Sequence, residues 1–129
     1  MGKGWGQGPQ HSKSLQAWFA HVPGLRAAMP GTPFDAKGLL MSSIFGEDPT
    51  IIIEGRPLFS MRENVPEKPY RVPFGQAALR REGSDVTVVA LGSMVPTVLQ
   101  AADRLEEYGL STEVLDPRTV VPLDEEAIL

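Results

Sequence analysis

Val86-Thr87-Val88-Val89-Ala90-Leu91-Gly92-Ser93 is a continuous apolar run closed by a glycine turn. A run of that kind fits a strand over 86–91 in a parallel sheet, because such strands are covered on both faces and do not alternate. Gly92-Ser93 turns the chain into a predicted helix over 94–108. Val95, Val98, Leu99, Ala102 and Leu105 recur at helical spacing and form its buried face, with Asp103, Arg104, Glu106 and Glu107 outside. Pro96 sits in the first turn, where its missing N–H costs nothing. Gly109 suits the C-terminal cap. A second apolar strand follows over 112–115, and Asp116-Pro117-Arg118 leaves the sheet. Strand, helix and strand with short loops make a crossover unit of a parallel sheet, so the fold class is α/β.

A similar unit precedes it. The short run 25–29 reads as a buried strand, and Thr32-Pro33-Phe34-Asp35 as a helix start. Thr32 suits the N-cap, Pro33 the first helical position, and Asp35 the positive end of the helix dipole. The helix is predicted to run to about residue 45, burying Phe34, Met41 and Phe45 with Leu40 and Ile44 beside them. Gly38 would let a neighbour approach closely. After the breaker Gly46-Glu47-Asp48-Pro49, the stretch 50–54 reads as a strand buried on both faces. Between the two units, Pro57, Pro66, Pro69 and Pro73 interrupt a charged stretch, and 55–82 reads as an extended surface linker. At the start, 1–11 reads as a loop. Ser12 is placed to cap a helix over 13–21 with a stripe of Leu15, Trp18, Phe19 and Val22. Pro122-Leu123-Asp124-Glu125 resembles a helix start cut short, so a truncated frame or a fragment is expected.

The 129 residues carry 42% hydrophobic side chains, enough for a packed core, and a formal net charge of −4. No basic block points to nucleic acid. With no cysteine, disulfides, thiolate catalysis and cysteine-ligated zinc are excluded. No apolar run approaches the ~18 residues that span a bilayer. A soluble cytoplasmic protein with neither a nucleic-acid nor a membrane partner is expected.

Gly4-Trp5-Gly6-Gln7-Gly8 imitates a phosphate loop, but no strand precedes it and Pro9 follows. Leu91-Gly92-Ser93 does follow a strand, yet its single glycine fits a plain turn better than an anion site. His11 lies between a glycine loop and a helix start, where chemistry is often placed, and histidine as a residue type can donate, accept or carry a proton. From the residues alone, a solvated loop histidine is the plainer reading. His21 suits a helix C-terminus. No paired histidines or carboxylate cluster point to a transition metal, and no serine sits in a nucleophile elbow.

From Gly8-Pro9-Gln10-His11-Ser12-Lys13-Ser14 through Ala17-Trp18-Phe19-Ala20-His21-Val22-Pro23-Gly24-Leu25, the chain closely resembles the beta subunits of pyruvate, branched-chain 2-oxoacid and acetoin dehydrogenases. These are thiamine-diphosphate-dependent, transketolase-like enzymes. The resemblance continues through Asp35-Ala36-Lys37-Gly38-Leu39-Leu40, resumes at Arg81-Glu82-Gly83-Ser84-Asp85-Val86-Thr87, and ends in Asp116-Pro117-Arg118-Thr119 and Pro122-Leu123-Asp124-Glu125.

The resemblance implies parts of two transketolase-like three-layer domains with mostly parallel sheets. Residues 1–55 would be the second half of the pyrimidine-binding domain, 56–82 a linker, and 83–129 the first half of the C-terminal domain. It implies thiamine diphosphate with magnesium, held mainly by segments and an alpha subunit outside this chain. It also implies a second beta subunit and a lipoyl acyltransferase core as partners. His11 matches the active-site histidine of the motif, expected to hydrogen-bond the substrate and assist proton movement. The activating glutamate of the family lies in a segment this chain does not contain. Neither Glu54 nor Glu63 matches it, so the isolated chain is expected to be inert. Some members hold a potassium ion at a helix-to-strand turn, and the matching residues here are Ser43, Ile44, Gly46 and Asp48. Gly46 stands where the family usually has aspartate, and Ile44-Phe45-Gly46 replaces an Ile-Arg-Asp pattern, so the acid used is left open. Two other readings compete. One is another transketolase-like enzyme of the deoxyxylulose-phosphate synthase type, which fits the Gln10-His11-Ser12 pattern less well. The other is a non-catalytic assembly module.

Overall fold

A computed structural model describes residues 8–129. The described residues form two three-stranded sheets. The first has the order β2-β1-β6, with β1 (Arg26–Ala28) parallel to β2 (Thr50–Ile52) and antiparallel to β6 (Thr119–Val121). The second has the order β3-β5-β4, with β5 (Thr112–Asp116) parallel to β4 (Val86–Val89) and antiparallel to β3 (Ala78–Arg81). Helix α3 (Pro33–Ile44) connects β1 to β2, and α4 (Met94–Glu106) connects β4 to β5. Both crossover units expected from the apolar runs are therefore present, and each sheet gains an antiparallel edge strand that the sequence reading did not place.

The cap of α3 forms as its residues dictate. Thr32 is extended, its hydroxyl oxygen accepts the Asp35 N–H at 3.1 Å, and Pro33 follows at the first helical position. The face that packs inward differs from the expected one. Leu39 is fully buried with Asp35 and Gly38, while Ile44 and Phe45 are 63% and 58% exposed. The reason is what lies on the helix: Leu39 joins Ala28 and Val72 in the core, with Phe34, Ile52, Tyr70 and Phe74 packed around them. The β2 and β4 runs, expected to be buried on both faces, sit at sheet edges. Val86 and Val89 of β4 stay exposed, and β2 is only half-buried. On α4 the expectation holds, with Val95 and Ala102 buried and Val98, Leu99 and Leu105 half-buried.

Near the start, the helix predicted over 13–21 is shorter. It is α2 (Gln16–Ala20), which lacks a side-chain cap, and the stretch expected as a loop holds a single turn, α1 (Gly8–His11). Ser12 therefore caps nothing, and Trp18 of the expected apolar stripe is 72% exposed. α2 packs on β1 and β6.

The stretch expected as a surface linker is bound along α3. Val72 is 3% exposed, its N–H donates to the Gly38 carbonyl at 3.1 Å, and its own carbonyl accepts the Ser42 hydroxyl at 2.6 Å. The Tyr70 hydroxyl donates to the Phe34 carbonyl at 2.7 Å, and the two rings stack at 4.4 Å. Glu63 accepts the Phe34 N–H at 3.0 Å. Pro57 opens a short 3-10 helix over Arg56–Ser60, the stretch ends in the edge strand β3, and the later prolines do not prevent burial. Gly38 supplies the slot, because a Cβ there would run into the Val72 side chain and lie 2.9 Å from Tyr70 Cε2. Gly38→Ala is therefore expected to destabilise the fold by about 1–3 kcal/mol despite alanine's better helix propensity. A urea melt of the two proteins checks this.

A buried charge cluster ties the two units together. Asp35 from α3 and Asp116 from the end of β5 are fully buried, and Arg80 of β3 pairs with both, reaching Asp116 Oδ2 at 2.8 Å. Arg118 stands 3.6 Å from Asp35 Oδ1, an ion pair without a hydrogen bond, and its N–H donates to Asp116 Oδ1 at 2.9 Å. Burial pushes the Asp116 carboxyl above the usual aspartate range, outweighing the hydrogen bond and charge of Arg80. Burial alone would lower the Arg80 guanidinium. Its hydrogen bond to Asp116 and the two carboxylate charges raise it instead.

Candidate functional site

The carboxyl ends of β1, β2 and β4 converge where the two units meet. Met29 and Pro30 follow β1, Ile53 to Gly55 follow β2, and Ser93 opens α4 after β4. A cleft of about 50 Å³ lies among Met29, Ile53, Glu54, Gly55 and Ser93, closed on one side by Ser14 and Gln16. It shares Glu54 and Gly55 with an apolar cleft of about 160 Å³ bordered by Pro33, Leu58, Phe59 and Met61. Ser93, Leu58 and Met61 also border a third groove of about 250 Å³. The crevice outside the carboxyl ends of parallel strands is where α/β sheets bind ligands. The units approach closely at this point: a Cβ on Gly55 would stand 3.1 Å from the Ser93 Cβ.

His11 is the last residue of α1 and is exposed. The segment after it carries Ser14 and Gln16 into the cleft wall, and α2 anchors that segment on the first sheet. The histidine expected in a loop is therefore on a short helical turn beside the crevice-lining segment. Of the glycine loop at 4–8, residues 4–7 lie outside the described residues. The Gly92-Ser93 turn closes by N–H donation from Met94 to the Leu91 carbonyl at 3.1 Å, and Ser93 makes no side-chain cap.

The second candidate set sits at the far end of α3. Ser43 is half-buried, and Ile44, Gly46 and Asp48 are exposed. The Ser43 carbonyl accepts the Gly46 N–H at 3.3 Å, and the Asp48 carbonyl accepts the Thr50 hydroxyl at 3.1 Å. The Asp48 carboxylate pairs with Arg26. Each carbonyl keeps a free lone pair, so the donor chemistry suits a hard monovalent cation. A Cβ on Gly46 would stand 2.9 Å from the Ser42 carbonyl oxygen, so this loop path does not take the family's aspartate without a backbone shift. His11 and this loop are on separate elements.

Among the described residues, no group of three histidine, aspartate or glutamate side chains could hold a divalent metal. A fourth groove, of about 430 Å³, lies along α4 among Thr97, Arg104 and Tyr108. Glu63, spent on the N–H of Phe34, faces α3. The crevice itself escaped the sequence reading because its walls come from four segments distant in sequence. The one available signal was the pair of glycine or proline turns at strand ends. Among the described residues, no helix is long and apolar enough to cross a membrane.

Comparison with known proteins fits this arrangement. The transketolase pyrimidine-binding domain matches residues 2–61, and the transketolase C-terminal domain matches residues 75–129. The beta subunit of acetoin:2,6-dichlorophenolindophenol oxidoreductase from Bacillus subtilis is 46% identical over 127 residues, which is 98% of this chain and 37% of that subunit. The 2-oxoisovalerate dehydrogenase and pyruvate dehydrogenase E1 beta subunits of the same organism are 48% and 45% identical, each over 92% of this chain and 37% of the relative. The chain thus spans a little over a third of the length of these relatives. Among solved structures, a split-gene transketolase described as an inactive beta4 tetramer superposes with a TM-score of 0.75 at 29% identity, over 88% of this chain and 37% of the other. A Pichia stipitis transketolase, 20% identical with a TM-score of 0.66 over 88% of this chain and 17% of the other, shares the fold. The chain belongs to the transketolase-like family, carrying parts of its pyrimidine-binding and C-terminal domains, and is similar over most of its length to the beta subunits of acetoin, branched-chain and pyruvate dehydrogenases.

Proposed function

We propose that the chain is part of the beta subunit of a 2-oxoacid dehydrogenase that decarboxylates a 2-oxoacid on thiamine diphosphate and passes the acyl group to lipoamide. The observation that carries this is the match to beta subunits of such dehydrogenases over 92% or more of the chain, through the segment holding His11 and into the second unit. In this reading 1–55 belongs to the pyrimidine-binding domain, 56–82 crosses between domains, and 83–129 belongs to the C-terminal domain. Thiamine diphosphate and magnesium are held by segments and an alpha subunit outside this chain. His11 supplies a hydrogen bond and a mobile proton to the substrate at the crevice. The chain works in the cytoplasm with the alpha subunit, a second beta subunit and a lipoyl acyltransferase core. Neither nucleic acid nor membrane is a partner.

The test sets this chain in the frame of a full-length beta subunit, adds the alpha subunit, and offers pyruvate, branched-chain 2-oxoacids and acetoin with an artificial electron acceptor. Turnover of one of them supports the reading and names the substrate. A well-formed complex that turns over none of them overturns it.

A second reading, a docking module without catalysis, draws on the exposed apolar side chains Trp18, Phe59 and Tyr108, the last 82% exposed. Surfaces of this kind mark contacts with partner chains. It predicts that changes on these side chains break assembly while His11 is silent.

The same family reading assigns a potassium ion to the carbonyls of Ser43 and Ile44 with Gly46 and Asp48. Potassium at a hundred times its Kd would then stabilise the full subunit by about 2.7 kcal/mol relative to sodium. A melting temperature unchanged between the two salts removes the ion.

A further inference from the structure

Lys37 is the fifth residue of α3, just past its first turn. Its ammonium turns away from the helix onto the segment that crosses between the units. It donates to three successive backbone carbonyls, those of Pro66, Glu67 at 3.2 Å and Lys68 at 3.3 Å. It also lies 5.1 Å from the centroid of the Tyr70 ring. An ammonium has three N–H donors, and here each meets a carbonyl, with an aromatic face beside them. Pro66 and Pro69 have no N–H, so this stretch is rich in acceptors and poor in donors. Three adjacent carbonyls that would repel one another are aimed at one point, and a single positive charge holds them there.

We propose that the carbonyls of 66–68 and the Tyr70 ring form a seat for a small monovalent cation, which the Lys37 ammonium fills from within the chain. That charge keeps the segment 63–72 bound along α3. The other fastenings, Glu63 to Phe34, Tyr70 to Phe34 and Val72 to Gly38, lie on either side of the seat. The seat is separate from the 43–48 loop at the opposite end of the same helix, and it does not depend on the catalytic reading.

The test is hydrogen exchange of peptides covering 61–72 in the whole chain, for wild type, Lys37→Met and Lys37→Ala. Each is run with ammonium chloride or tetramethylammonium chloride at equal ionic strength. In the wild type, exchange is expected to be slow and the same in both salts. Lys37→Met keeps an apolar stem but loses the charge, and exchange is expected to rise about tenfold in either salt. Lys37→Ala empties the seat. Its exchange is expected to rise as much in tetramethylammonium and to return toward wild type in ammonium. Slow exchange in Lys37→Met would show that the stem and not the charge holds the segment. A rise in Lys37→Ala that ammonium does not reverse would show that the carbonyls form no cation seat. Either result overturns the proposal.

Discussion

His11→Ala, placed in an assembled full-length beta subunit with its alpha partner, is expected to lower turnover by about 10²–10⁴-fold, the range for loss of a positioned acid–base group. Assembly and melting temperature are expected to hold, because His11 is exposed at the end of a one-turn helix and no buried residue belongs to that helix. This pairing of outcomes separates the enzyme reading from the docking reading. The crevice explains how an exposed side chain can have so large an effect. Ser14 and Gln16 border the cleft at the strand ends, and α2 fixes the segment that carries them to the sheet. His11 lies three positions before Ser14 in the chain, and in this reading the remaining segments and the partner subunit close a substrate against it. Steady-state turnover with size-exclusion analysis of the complex is the check. Unchanged turnover removes the role.

Arg80→Met is expected to cost about 3–5 kcal/mol of stability at neutral pH, the cost of removing one partner from a buried ion network. The substitution keeps an apolar stem but leaves Asp35 and Asp116 facing each other without their shared guanidinium. Two of the elements involved, α3 and β5, belong to different units, so the loss is expected to appear as one cooperative shift of the whole melt. The pH dependence fixes the sign. Burial already raises the Asp116 carboxyl in the native state. A carboxyl with a folded-state pKa above its unfolded value binds its proton more tightly when folded. Its contribution is full below the unfolded pKa and is lost as pH rises through the folded one. Without Arg80 the Asp116 carboxyl rises further, so Arg80→Met is expected to regain part of its deficit on moving from pH 7 to pH 5. Urea melts of both proteins at the two values test this. A deficit that grows on acidification would mean that the carboxylates are held charged by something other than Arg80.

The two crossover units were legible because each strand is an apolar run ended by a glycine or proline turn, and each helix carries an apolar stripe. The edge strands were not. Ala78-Leu79-Arg80-Arg81 is half charged, and its pairing with β5 is decided by what Arg80 and Arg81 meet: the buried aspartates for one, Asp103 and Glu106 of α4 for the other. Thr119–Val121 is three residues long and pairs with β1, more than ninety positions away. Val72 read as linker because its neighbours are prolines and charges, while its burial depends on the bare face of Gly38. The buried face of α3 was read from its large apolar residues, yet Leu39 and the small or polar Asp35 and Gly38 face inward. The segment that selects them is distant in sequence. For the site, the resemblance singled out His11 where its own surroundings did not, and the crevice became visible only once both units were placed.

The central claim is that this chain contributes to decarboxylation dependent on thiamine diphosphate. The most direct measurement is carbon dioxide release from the 2-oxoacid by the reconstituted alpha and beta subunits, first without the cofactor and then across a titration of thiamine diphosphate with magnesium. The account predicts release that is absent without the cofactor, saturates as it is added, and collapses when His11 is alanine. Release that is independent of thiamine diphosphate, or none at all from a correctly assembled complex at saturating cofactor, would contradict it.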